Sequence, residues 1–174
     1  MKLSKPVRIL LLVLAAALLV PLFLYWNGDI GTPKSRLEED FLSSSHIGPD
    51  WLSTGAQSDT LAAFVAWNED RSDSTFSVYV NRPGFSFGYF FRYGGMTADV
   101  RDTVTEFTFP DTGDKAYVSM NAPGAVRVEI DDGTMVQEHT LQPDEPFVFA
   151  AFPQMLVTFY DANGNVIEPL QRTL

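Results

Sequence analysis

Thr75-Phe76-Ser77-Val78-Tyr79-Val80 and Val126-Arg127-Val128-Glu129-Ile130 place an aliphatic or aromatic residue at every second position. A period of two matches the pleat of a β-strand, whose successive side chains point to opposite faces. Similar short runs lie on both sides: Leu61–Trp67, Phe85–Tyr93, a run ending Phe107-Thr-Phe109, Ala116–Met120, Thr134–Leu141, Phe147–Phe152, Met155–Tyr160 and Val166–Leu170. Turn chemistry separates them. Arg82-Pro83-Gly84-Phe85 and Ala122-Pro123-Gly124-Ala125 put Pro and Gly at the centre of type II turns, and Asp132-Gly133 is a hairpin signal. Roughly nine or ten short strands with no long helical pattern among them predict an antiparallel β-sandwich over residues 61–174. Asn81-x-Pro-Gly84 and Asn121-x-Pro-Gly124 are read as two similar turns rather than a repeat, because the residues after them do not match.

Upstream the pattern changes. Ile9 to Trp26 carries no charge, and 18 residues of helix reach roughly 27 Å, close to the hydrocarbon thickness of a bilayer. Lys2, Lys5 and Arg8 precede this run, and Tyr25-Trp26 closes it with interfacial aromatics. Residues 1–8 are therefore expected in the cytoplasm, residues 9–26 as a transmembrane signal anchor, and the rest outside the cell membrane. The competing reading is a cleaved signal peptide with a small-residue site at Ala15–Ala17, which would leave a greasy new N-terminus. Residues 27–60 read as a polar spacer, Asn27–Gly31, followed by one short juxtamembrane helix. Thr32-Pro33 starts that helix, and Leu37, Phe41 and Leu42 form its apolar stripe.

Composition narrows the task. The 174 residues hold 12 basic and 22 acidic side chains, for a net charge of −10. Three of the basic residues precede the apolar run and no acid occurs before Asp29, so the body carries nine against 22, a net −13. Such a body repels nucleic acid and anionic headgroups. Cysteine is absent, which excludes disulfides, thiolate metal sites and lipidated cysteine. None of the six Asn residues sits in a glycosylation sequon, so a bacterial extracytoplasmic protein is the simplest account.

The hairpin Val157-Thr-Phe-Tyr-Asp-Ala-Asn-Gly-Asn-Val-Ile167 resembles the closing strands of bacterial immunoglobulin-like surface domains. The resemblance implies an immunoglobulin-like antiparallel β-sandwich ectodomain whose faces and loops serve adhesion or assembly. It carries over no functional residue.

Chemistry-bearing patterns are sparse. Asp161, Asn163 and Asn165 match the first positions of a calcium loop, but Val166 and Arg172 stand where Gly and Glu belong, so an ordinary hairpin is expected. Asn68, Asp70 and Asp73 read as a solvated turn. His46 and His139 lie 93 positions apart without zinc spacing. No nucleophile elbow and no Ser-x-x-Lys pair is present. No catalytic residue, metal or cofactor is expected. The densest feature is Phe85-Ser-Phe-Gly-Tyr-Phe-Phe-Arg-Tyr93-Gly94-Gly95, in which Phe85, Phe87, Tyr89, Phe91 and Tyr93 would share one face as sandwich core. Gly88 marks a bulge or a close backbone approach. A binding face, if present, is expected at Gly88, Phe90, Arg92 and Tyr93.

The leading expectation is a non-enzymatic, single-pass subunit that meets an envelope protein, anchored in the bilayer by residues 9–26. A cell-wall or carbohydrate-binding module using exposed aromatics comes second, and a hydrolase with scattered carboxylates third. Nucleic acid is not expected as a partner. The intact mass of membrane-extracted protein should include the segment upstream of Ala17; a chain beginning near Ala17 or later would overturn the anchor.

Overall fold

A computed structural model describes residues 4–82 and 87–174. Residues 83–85 of the turn expected at Arg82–Phe85 lie outside the described residues. Helix α1 (Lys5–Trp26) is long and apolar enough to cross a membrane, and none of its residues is buried against the rest of the chain. A 3-10 turn (Lys34–Arg36) leads into α2 (Leu37–Ser44). The expected start at Thr32-Pro33 therefore moves inward: Pro33 caps the 3-10 turn with extended backbone, and the α-helix itself begins at Leu37.

The remainder is mostly β. One sheet has the order β1-β2-β3-β4, from β1 (Leu52–Gln57), β2 (Leu61–Trp67), β3 (Ser74–Asn81) and β4 (Tyr89–Gly95). Helix α3 (Ala98–Asp102) then precedes β5 (Thr105–Thr108) and β6 (Lys115–Ser119). Next come β7 (Ala125–Asp131), β8 (Val136–Thr140), β9 (Phe147–Ala151), β10 (Leu156–Asp161), β11 (Val166–Ile167) and β12 (Leu170–Thr173). They form a middle sheet, β12-β5-β6-β9, and a third sheet, β11-β10-β7-β8. All the pairings are antiparallel except β12 with β5.

A sandwich has two sheets, and here there are three, with the middle one covered on both faces. Ala116 and Val118 on β6, with Phe107 on β5, pack against Val65, Phe76 and Val78 of the first sheet. On the opposite face, Tyr117 and Phe147 pack against Val128, Val157 and Phe159 of the third. The first sheet has a second layer of its own: Ala62, Phe64, Tyr79 and Tyr89 meet Leu37 and Phe41 of α2, with the Phe41 and Phe64 rings stacked at 5.7 Å.

Three differences from the sequence reading have local causes. The β region opens at Leu52, inside the 27–60 segment expected to hold only spacer and helix. β1 was illegible because Leu-Ser-Thr-Gly-Ala-Gln lacks alternation; Gly55 leaves room for the ring of Phe64, its cross-strand partner. The single last strand expected at Val166–Leu170 splits around Glu168-Pro169, because Pro has no N–H for a ladder. β11 closes a hairpin with β10, while β12 crosses to the middle sheet and runs parallel to β5. The turn at Ala122–Ala125 shifts back by one residue. Gly124 N–H donates to Asn121 O at 3.0 Å, while Ala125 N–H is taken at 2.7 Å by the side chain of Asn121.

Asn121 thus links the middle and third sheets. It is fully buried, adopts φ +61°, and donates through Nδ2 to Ala125 O and Gln142 O, both at 3.0 Å. Asn tolerates the left-handed region better than most residues. Asn121→Ala should cost about 2–4 kcal/mol through three lost hydrogen bonds and backbone strain. Urea unfolding of the full chain in detergent checks this, with Asn121→Asp expected between the parent and the Ala variant.

Candidate functional site

β4 lies at an edge of the first sheet, and its two halves behave differently. The spacer expected at Asn27–Gly31 is docked there. Phe87 N–H donates to Asp29 O at 2.7 Å, Gly31 N–H to Phe87 O at 2.7 Å, and Tyr89 and Thr32 exchange two bonds of 2.8 Å. This contact needs small residues. Gly88 has φ +89°, and a Cβ there would stand 2.8 Å from Thr32 O; a Cβ on Gly31 would overlap the carbonyl of Tyr89. Gly88 is therefore the close approach of another backbone strand, one of the two roles its position suggested.

The aromatic strip does not share one face. A bulge opposite Val78/Tyr79 leaves Arg92 unpaired, so Tyr93 pairs with Val78 and Phe91 with Tyr79. An extra residue in one strand reverses the alternation beyond it. Tyr93 consequently packs with Phe76 and Phe107 at 5.8 and 5.7 Å, toward the middle sheet. Phe91 packs edge-on against Tyr79 at 6.0 Å, toward α2. The core reading holds for Tyr89, which is 3% exposed, and fails for Phe87 and Phe91, each 57% exposed; Tyr93 is 42% exposed. Phe85 lies outside the described residues.

The four residues expected to form a binding face accordingly divide. Gly88 abuts Gly31 and Thr32, and the half-buried Phe90 ring carries the Arg82 guanidinium at 4.3 Å. Arg92 and Tyr93 line a separate hollow of about 280 Å³ with Arg172 and Leu174. Of the four, Phe90 alone borders a groove of about 700 Å³ between α2, residues 30–33 and β4. Tyr25, Tyr79 and Phe91 line it, as do Arg36, Glu39 and Asp40 from the helical segment. A second hollow of about 360 Å³ shares Asp40, Tyr79 and Phe91 and continues to Gly94 and Gly95.

The groove was not legible as a site. Glu38, Glu39 and Asp40 look like an ordinary acidic first turn, and Tyr79 falls on the Thr75/Ser77 side of its strand. The available signal was an apolar helix stripe, Leu37 and Phe41, that needed a surface to cover. Tyr79 donates to Asp40 Oδ2 at 3.0 Å and Tyr89 to Ser58 O at 2.5 Å, fixing both ring tips. Among the described residues, the Arg36 and Glu39 side chains enter no hydrogen bond or ion pair.

Other polar clusters serve the fold. Asp161 accepts from Asn163 and Asn165 N–H, both at 2.8 Å, and its second oxygen takes Asn165 Nδ2, making an ordinary hairpin turn. Asp70 is occupied in the same way by Ser72. His46 follows α2 and His139 lies on β8. The buried Glu106 accepts from Tyr117 at 2.8 Å and faces Lys115 at 3.3 Å. Arg127 bridges Glu129 and Glu138 and stacks on Tyr160 at 3.9 Å, tying three strands of the third sheet. No family model, no curated protein and no solved structure matches this chain.

Burial, and then the hydrogen bond to Asp40, push the Tyr79 phenol up to about 12. A folded-state value above the ordinary tyrosine value near 10 means that folding favours the protonated phenol. The stabilisation is complete below about pH 10 and is lost as pH rises toward 12. Tyr79→Phe should therefore lose less stability than the parent across that window in chemical unfolding; equal losses would show that the phenol titrates freely.

Proposed function

We propose that this protein is a membrane-anchored, extracytoplasmic interaction subunit that receives a strand from an envelope protein on the outer edge of β4. The observation that carries this reading is the open half of that edge. Residues 29–32 cover β4 only as far as Tyr89, and from Phe90 to Gly95 the strand is bonded on one side, to β3, among the described residues. Exposed Phe91 and Tyr93 flank this stretch with apolar surface. An unpaired edge beside hydrophobic pockets suits β-augmentation, with backbone bonds supplying affinity and pockets supplying specificity.

Three basic residues before the apolar run support a cytoplasmic N-terminus and an exported body. The docking of residues 29–32 supports a body held against the bilayer, which suits a subunit of a membrane complex better than a far-reaching adhesin. The resemblance of Val157–Ile167 to bacterial immunoglobulin-like surface domains supports a scaffold of stacked antiparallel sheets used for assembly. A second reading, binding to cell-wall glycan, draws support from the exposed rings of Phe87 and Phe91, since sugar rings stack on aromatic faces.

One position separates the two. Tyr89 directs both N–H and C=O outward to Thr32, so alternation turns Phe90 inward to β3 and Phe91 outward again. Phe91→Pro removes an outward N–H, which an edge strand tolerates. It should abolish the protein cross-link captured in native membranes while leaving the chain folded. Phe91→Leu keeps the edge and removes the ring, so the cross-link should persist. A cross-link indifferent to Phe91→Pro would overturn strand addition; loss of cell-wall retention in both variants would favour glycan.

A further inference from the structure

We propose that the groove between α2, residues 30–33 and β4 binds the phosphoethanolamine headgroup of a phospholipid, with Glu39 and Asp40 taking the ammonium and Arg36 the phosphate. The inference rests on the reading that α1 lies in a bilayer, and its polar groups, Arg36, Glu39 and Asp40, lie off the β4 edge proposed for strand addition, with which the groove shares Phe90 and Phe91.

Depth is the first argument. Tyr25, on the last turn of α1, lines the groove, and Tyr and Trp at the end of a membrane helix sit at headgroup level. The opening therefore stands where headgroups are, without any movement of the body. Its volume of about 700 Å³ lies within the range of small-molecule sites.

Charge is the second. The groove holds a cation and two carboxylates rather than one sign, which matches a zwitterion. Arg36 and Glu39 have no side-chain partner among the described residues, and Asp40 spends one oxygen on Tyr79, leaving Oδ1 for a ligand. Arginine presents a planar fork of donors suited to phosphate oxygens. The rings of Tyr79 and Phe91 add electron-rich surface beside the carboxylates, which attracts an ammonium. Arg82 stacks on Phe90, so the cation is placed on the Tyr79 side of the groove.

The same geometry sets specificity. A primary ammonium donates hydrogen bonds to Glu39 and Asp40, and a trimethylated choline has none to give. An anionic glycerol headgroup meets two carboxylates on a body of net charge −13 and is disfavoured. The order expected is ethanolamine over choline over glycerol.

The test is native mass spectrometry of the full-length chain in detergent with equimolar phosphatidylethanolamine, phosphatidylcholine and phosphatidylglycerol of identical acyl chains. Phosphatidylethanolamine adducts should be enriched by about fivefold or more, the scale of one net hydrogen bond from the primary ammonium. Glu39→Gln should reduce that enrichment, Arg36→Gln should reduce the adducts of all three lipids because each carries the phosphate, and Glu138→Gln on the third sheet should do neither. Both groove positions are exposed, so these variants should fold. Equal adducts of the three lipids, enrichment unchanged in Glu39→Gln, or total adducts unchanged in Arg36→Gln would overturn the site. Vesicle flotation separates this from the membrane reading. A full-length chain that floats equally with ethanolamine and choline vesicles and shows no adduct preference refutes the headgroup site alone. A chain that floats with neither refutes the anchor, and the headgroup site with it.

Discussion

The centre of the middle sheet, strands β5 and β6, is buried on both faces, and the positions of the outer layers follow from it. A strand with solvent on one side needs apolar residues only at alternate positions, but β5 and β6 need compatible groups at every position. Thr105, Glu106, Phe107, Ala116, Tyr117, Val118 and Ser119 are all buried. The polar members are tolerable because they are satisfied: Glu106 by Tyr117, and Ser119 by the carbonyl of Thr103. Burial and the neighbouring Glu106 hold the Tyr117 phenol far above its ordinary range.

With the inner face of the first sheet committed to that layer, its outer face is left with Phe64, Tyr79 and Tyr89, and α2 covers them. The helix is short and packs on β4 at Tyr89, its first residue, so the strand beyond and the helix enclose a groove instead of a closed core. The docking of residues 29–32 on the start of β4 completes the third wall. Gly31 and Gly88 make that docking possible, because two backbones there approach closer than side chains permit. The groove thus follows from one helix being too short and one pair of glycines being small enough.

Alternation located the strands because the pleat converts a period in sequence directly into two faces. It could not report how many sheets those strands formed, since a strand covered on one face by a second sheet and on the other by a third reads like any apolar run. Leu61–Trp67 is buried at every position, with Ala62, Phe64 and Ala66 facing α2 and the rest facing the middle sheet. The aromatic strip failed as a single face for a different reason. A positive φ at Gly88 and an unpaired Arg92 each disturb the alternation, and neither has a signature in spacing alone. Of the expected binding residues, Phe90 borders the groove, while Arg92 and Tyr93 are carried to another hollow by the bulge.

The sequence by itself determined the local matters: an apolar helix at the N-terminus, the strands from Leu61 onward, the hairpins at Asp132-Gly133 and Asp161–Asn165, and the sign of the body's charge. The elements among these depend on neighbouring residues, where periodicity and turn geometry act, and the charge is a sum over composition alone. Only the tertiary structure decided the three-sheet stack, the return of β12 to β5, the capture of residues 29–32 by β4, and the meeting of Arg36, Glu39 and Asp40 with Tyr79 and Phe91. Those depend on which surfaces exclude water together, and burial is a property of the assembled layers that no single strand carries.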